Sequence, residues 1–254
     1  MPTIKVNDVH LFYEDRGSGE ALILLHGLTG SHHMLMQELE KFQADFRVIA
    51  IDARGHGKSD KPRSYTLADH IEDVIQLMDA LDISEANLLG MSMGTYVAQG
   101  VAIAVPDRIK KMILISGSTH AKSEATGLLA AHADEMEGFT FEEQMAHLAT
   151  HIFHQMDEVG KWLQRLPGGL TPEEQEAGAK ALAQFDFRPQ LHTVTADTLV
   201  ISGRYDGLNP PEEGQEIADH IPEARMVVFE HSGHAPNIEE KEKYMELVTS
   251  FLKQ

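Results

Sequence analysis

The sequence predicts an α/β protein with a mostly parallel, twisted sheet flanked by helices, and three observations carry that expectation. Short apolar runs recur along the chain, most of them ending in Gly, His or Asp. Amphipathic segments lie between them, and one long stretch, 119 to 195, breaks the alternation. Runs that are continuously rather than alternately apolar suit strands covered on both faces. A strand, helix, strand order implies parallel pairing with helices on both sides of the sheet.

At the amino end, "MPTIKVNDVHLFYEDRG" alternates and predicts strand. It lacks the basic start and long apolar core of a signal peptide, which makes the cytoplasm the expected compartment. The remaining strands are "ALILLH" (21 to 26), "FRVIAID" (46 to 52), "ANLLGM" (86 to 91), "KKMILISG" (110 to 117), "DTLVISG" (197 to 203) and "RMVVFEH" (225 to 231). Helices are expected at about 31 to 43, 67 to 81, 93 to 104, 211 to 220 and 238 to 252. The stretch from 119 to 195 is rich in Ala, Glu, His and Met, holds the only Trp (Trp162) and offers no strand. Within it Thr171 reads as an N-cap, with Pro172 at the first helical position and Glu174 three residues after the cap. The expected organisation is a core of residues 1–118 and 196–254, with 119–195 as a helical lid inserted after the sixth strand, over the sheet's carboxyl edge.

A chain of 254 residues can bury one sizeable core and carry an insertion. Its 42% hydrophobic and 24% charged content is ordinary for a globular protein, and no apolar run approaches a membrane span. Cysteine is absent, which removes disulfides and Cys-based zinc sites. A formal charge of −19 argues against nucleic acid and anionic membranes as partners, since both reward clustered Lys and Arg. The sequence is silent on oligomeric state.

"GMSMG", residues 90 to 94, fences a serine between glycines directly after a predicted strand and before a predicted helix. Ser92 then sits on a sharp turn where neighbouring Cβ atoms would collide, and Gly90 and Gly94 supply clearance. The hydroxyl projects from the sheet's carboxyl end, where a helix N-terminus offers free N–H groups to a developing oxyanion. A serine nucleophile needs a base and an acid to orient that base. His234, in a Gly-flanked loop after the last strand, is the expected base; His231 is its rival but belongs to the strand end. Asp206, in the turn after the preceding strand, is the expected acid. The order Ser92, Asp206, His234 is the one this triad takes on a parallel α/β sheet.

These motifs together make the chain resemble the α/β-hydrolase superfamily. "LLHGLTGS" resembles its oxyanion loop, which implies that the Leu28 and Met93 N–H groups form the oxyanion hole. "DARGHGKSD" resembles its D-x-R-G-x-G-x-S turn; "SGRYDGLNP" and "HSGHAPNIE" resemble its acid and base loops. One departure is Thr95, where many members carry another glycine. The single small lid resembles the branch of 3-oxoadipate enol-lactonases and small carboxylesterases. The implied protein has an α/β-hydrolase fold and is a cofactor-free serine hydrolase that takes a small-molecule ester. Lactonases, thioesterases and perhydrolases share the constellation, and some hydrolase-like proteins serve as slow-turnover ligand receptors. In some members the acid follows the strand before the lid, where the nearest carboxylate is Glu124.

Other residues invite simpler readings. His147, His151 and His154 share a helix face at a metal-like spacing, but no acidic partner can be assigned, so no metal is expected. Met91 and Trp162 are candidate pocket residues, and Met91 reads equally well as a buried side chain filling a gap in the core. His26 is expected to steady the oxyanion loop, and Arg54 and His56 to hold their turn together.

Overall fold

A computed structural model describes residues 3–121 and 128–254; Glu124 lies outside the described residues. Eight strands form one sheet: β1 (Thr3–Val6), β2 (Val9–Arg16), β3 (Ala21–Leu25), β4 (Arg47–Ile51), β5 (Ala86–Met91), β6 (Ile109–Ile115), β7 (Asp197–Gly203) and β8 (Arg225–Phe229). Their spatial order is β1-β2-β4-β3-β5-β6-β7-β8. The first two strands form an antiparallel hairpin, and β2 pairs antiparallel with β4; every other neighbour is parallel. The helices of the alternating part are α1 (Met36–Phe42), α2 (Leu67–Ala80) and α3 (Met93–Ala104). Between β6 and β7 come α4 (Leu128–Ala131), α5 (Phe141–Ile152), α6 (Met156–Leu163) and α7 (Pro172–Ala181), and the chain closes with α8 (Pro211–His220), α9 (Pro236–Glu239) and α10 (Lys241–Leu252).

The strand order decides which face each helix covers. From β3 the chain moves outward to β4, then crosses back past β3 to β5 and continues in the opposite direction. Right-handed crossovers therefore put α1 on one face and α2, α3 and α8 on the other. The packing follows: Leu77, Val97 and Ile217 share one core with Ile23 and Ile49, whereas Leu39, Phe42, Tyr244 and Val248 share the other with Leu22 and Val48. Leu22 and Ile23 are adjacent, face opposite ways and are both wholly buried. That is why the central strands read as unbroken apolar runs, each buried side chain contributing about 1.5–3 kcal/mol.

The reversal at β3 also creates a crevice between the carboxyl ends of β3 and β5, the place where open α/β sheets bind ligands. Register pairs Leu25 with Gly90 across it. Two capping boxes start helices in the segment between β6 and β7, Thr140 with Glu143 and Thr171 with Glu174, so the reading of Thr171 holds. The carboxyl end of α5 is fastened to the sheet's loops: His151 O accepts the Gly207 N–H (2.9 Å) and Ile152 O accepts the His234 N–H (2.8 Å). Glycine is required beside both contacts, since a Cβ at Gly207 would lie 2.3 Å from His151 O and one at Gly233 2.4 Å from Ile152 O. Among the described residues no helix is long and apolar enough to cross a membrane.

Candidate active site

Ser92 has φ 50° and ψ −117°, outside the regions a non-glycine residue prefers. A backbone of this kind costs of order 1–3 kcal/mol and persists only where its surroundings hold it. Here the Ser92 N–H donates to Ile115 O (2.9 Å), and Ser92 O accepts both the Thr95 N–H (2.8 Å) and the Thr95 hydroxyl (2.7 Å). Thr95 is wholly buried. The residue that departs from the resembled pattern is thus a second fastener on the strained serine, which side-chain type alone did not reveal. The flanking glycines do what the pattern implied. A Cβ at Gly90 would come within 2.3 Å of Gly94 O, and one at Gly94 within 2.0 Å of Leu25 O.

The acid and base meet. His234 Nδ1 lies 2.8 Å from Asp206 Oδ2, with both residues buried. The other carboxylate oxygen, Oδ1, accepts the N–H groups of Leu208 and Asn209, each at 2.9 Å. Asn209 Nδ2 donates to Ser116 O, which ties the acid loop to the end of β6. A carboxylate so held accepts the hydrogen bond of the His234 Nδ1–H, which keeps the ring proton on Nδ1 and leaves Nε2 as the ring's acceptor. His231 is exposed, and its N–H goes to Glu240 instead. Ser92, Asp206 and His234 follow β5, β7 and β8, so all three stand at the same carboxyl edge.

One residue at this edge escaped the sequence reading. Glu239 is 5% exposed, and its Oε1 accepts the N–H groups of Gly233 (3.0 Å) and Ala235 (3.1 Å), the two neighbours of His234. Its Oε2 accepts those of His154 and Gln155, both at 2.7 Å, in the turn after α5. A single carboxylate therefore clamps the base loop to the inserted helices. The signal available was an acid at the fifth residue past His234 on a short helix begun by Pro236, where its side chain can turn back onto the loop.

The loop after β3 is built from buried histidine chemistry. His26 Nδ1 donates to Gly27 O (2.7 Å), and its Nε2 accepts the Ala53 N–H (3.0 Å). Burial, and secondarily His56, push its pKa down to about 4, so one neutral tautomer spans two loops at neutral pH. Burial alone would raise the pKa of Asp52, but hydrogen bonds from His32 and Lys58 outweigh it and hold the carboxyl below its ordinary value. Arg54 makes a buried ion pair with Asp73 (2.5 and 2.6 Å), which is structural, as its place in the turn implied. Leu28 follows in a turn closed by the Gly30 N–H on Gly27 O (3.1 Å). Among the described residues its own N–H has no protein acceptor, and Met93 is the first residue of α3, whose N–H the helix cannot satisfy internally.

A Cβ placed at Gly27 would sit 3.4 Å from Ser92 Cβ and 3.8 Å from Met34 Sδ. Met34 in turn lines a cleft of about 320 Å³, together with Thr29, Lys58, Lys61, Leu163, Leu166 and Leu170. The two candidate pocket residues stand elsewhere. Met91 is 2% exposed and packs with Leu89 and Ile115 in the core beneath the turn, because its strand position points it into the sheet's face rather than off its edge. Trp162 lines a neighbouring cleft with Met36, Gln37 and Ile238. Of the three histidines on the α5 face, His147 and His151 converge with His132 and Glu135, while His154 stacks on Tyr205.

A strained serine at a crevice, a paired acid and base, and two N–H groups, one on the loop after β3 and one at the start of α3, make a hydrolase-type site. The family model for the alpha/beta hydrolase fold matches residues 20–241, and the chain belongs to that family. It is 30% identical over 260 residues to "3-oxoadipate enol-lactonase 2" of Acinetobacter baylyi, covering 99% of this chain and 96% of that one. It is 32% identical over 270 residues to "2-hydroxy-6-oxo-6-phenylhexa-2,4-dienoate hydrolase" of Comamonas testosteroni, covering 98% and 93%. The crystal structure of the enol-lactonase from Burkholderia xenovorans superposes with a TM-score of 0.87 at 27% identity, covering both chains completely.

Proposed function

We propose that this protein is a serine hydrolase that cleaves small carboxylic esters through an acyl-enzyme. The Asp206–His234 pair, at the edge that also carries the strained Ser92, supports this reading above all. In the proposed reaction Ser92 Oγ attacks the ester carbonyl while His234 Nε2 takes its proton. The Leu28 and Met93 N–H groups receive the oxyanion, His234 returns the proton to the leaving alkoxide, and water repeats the sequence on the acyl-enzyme. Asp206 stabilises the imidazolium throughout. The chemistry needs no cofactor. Residues 119–195 act as the lid, and a cleft of about 320 Å³ favours short acyl chains over long ones.

Enol-lactones are cyclic esters, so the similarity to enol-lactonases supports a lactone as the second substrate class on the same machinery. A panel of p-nitrophenyl esters, lactones and thioesters, run with wild type and Ser92→Ala, tests the proposal. Wild type should turn over many equivalents of a butyrate ester, and Ser92→Ala should lose ~10⁴ to 10⁶ in kcat. A fluorophosphonate should label Ser92 alone. Retention of more than a tenth of the activity by Ser92→Ala would exclude it as nucleophile; a single burst without turnover would favour a ligand receptor over an enzyme.

A further inference from the structure

The four residues His132, Glu135, His147 and His151 belong to no step of the proposed reaction, yet their polar atoms converge. Glu135 Oε2 lies 2.8 Å from His147 Nε2 and 3.6 Å from His151 Nε2, and the two imidazole nitrogens are 3.3 Å apart. His132 Nδ1 is 2.9 Å from the other carboxylate oxygen, Oε1, and its ring stacks on that of His151 with centroids 3.8 Å apart. All four donor groups fall within 4.8 Å of one another.

A proton can join only one edge of the Glu135–His147–His151 triangle at a time. A cation can satisfy all three corners. The circle through atoms spaced 2.8, 3.3 and 3.6 Å has a radius of about 1.9 Å, so an ion slightly off their plane sits about 2.0–2.1 Å from each, the bond length zinc makes to imidazole nitrogen and carboxylate oxygen. His147 and His151 are i and i+4 on α5, which puts both rings on one helix face. The cluster is a fifth to a half exposed, so an ion can enter from solvent.

We propose that Glu135, His147 and His151 form a binding site for a divalent transition metal, zinc by preference, with His132 donating to the free carboxylate oxygen and fixing its orientation. Two imidazoles and one carboxylate are the donor set of borderline cations such as Zn²⁺, Ni²⁺, Co²⁺ and Cu²⁺, not of Mg²⁺ or Ca²⁺. Two of its three ligands stand on the last two turns of α5, whose terminal carbonyls at His151 and Ile152 hold the loops of Asp206 and His234. Occupancy would therefore brace those loops without touching substrate.

The test is titration calorimetry with tag-free, EDTA-stripped full-length protein against ZnCl₂. One Zn²⁺ per chain should bind with a dissociation constant in the micromolar range or below. MgCl₂ should give no heat. His147→Ala and His151→Ala should each abolish binding, His132→Phe should weaken it about tenfold, and His154→Ala should leave it unchanged. Saturating Zn²⁺ should raise the thermal midpoint of wild type but not of the His147→Ala, His151→Ala double variant. In wild type alone, Co²⁺ should give the intense visible bands of a four-coordinate ion with nitrogen and oxygen donors, a readout independent of whether any variant folds. No binding at micromolar Zn²⁺, octahedral Co²⁺ bands, or binding that survives in a folded double variant would overturn the proposal.

Discussion

Replacing Asp206 by Asn tests the acid, and the hydrogen bonds around it fix what the amide must do. Oδ1 accepts two backbone N–H groups, from Leu208 and Asn209, whereas Oδ2 pairs with His234 Nδ1. An Asn keeps its carbonyl oxygen toward the two N–H donors, because the opposite flip would set an NH₂ against both of them. Its NH₂ then points at His234 and donates to Nδ1. The ring must take the other tautomer, with the proton on Nε2, and can no longer accept one from Ser92. By the serine-protease precedent this costs ~10³ to 10⁴ in kcat, or about 4–5.5 kcal/mol of transition-state stabilisation. Stability should change far less, since the two backbone bonds survive. The assay is kcat for p-nitrophenyl butyrate at neutral pH, with urea denaturation as the folding control. A folded Asp206→Asn variant that keeps a tenth of wild-type activity would refute the reasoning and send the search for the acid to Glu124.

Further outcomes follow from groups around the site. Glu239→Gln must leave two of four N–H donors without an acceptor, at about 1–3 kcal/mol each. The urea midpoint should therefore drop by the equivalent of about 2–6 kcal/mol and kcat should fall; an unchanged midpoint would show that the clamp contributes nothing. Thr95→Val keeps the shape but loses the hydroxyl bond to Ser92 O, so about 1 kcal/mol of stability should be lost, with activity falling more than in a control such as Thr150→Val on α5. Burial lowers the pKa of His26 to about 4 and of His70 to about 3, so in acid the unfolded chain binds protons that the folded one refuses. Each then removes about 2 kcal/mol between pH 7 and pH 5. Glu38, raised by burial to about 6, acts in the opposite sense and returns about 1 kcal/mol over the same interval. Denaturation at the two pH values should show a net loss of about 3 kcal/mol from these groups; equal stability at both would contradict the buried neutral state of the histidines.

The central strands were legible because burial on both faces leaves no room for polar alternation, as Leu22 and Ile23 illustrate. The GMSMG turn was legible because its glycines answer a steric demand that the backbone now displays. Much of what stayed hidden depends on contacts between residues far apart in the chain. Glu239 binds N–H groups 84 and 85 residues before it, and nothing local marks such a carboxylate. Met91 looked like a pocket residue by adjacency to Ser92, but strand parity turns its side chain into the core. The histidines of α5 showed their helical spacing in sequence, whereas Glu135 and His132, which complete the cluster, come from a separate preceding turn. His154, which fits the helical period, lies past the end of α5 and leaves the face.

The two carbonyls at the end of α5 bear on how this scaffold can diversify. His151 O and Ile152 O reach the acid and base loops through gaps that only glycine leaves open at 207 and 233. The inserted helices are therefore not an interchangeable cassette: a chimaera that imports another protein's insertion must reproduce this main-chain junction or bring matching loops with it. The side chains of Leu163, Leu166 and Leu170 carry no such obligation, although they wall the cleft. Variation in selectivity can accumulate there at little risk to the machinery, and directed libraries aimed at new substrates should randomise those positions while holding residues 151, 152, 207 and 233 fixed.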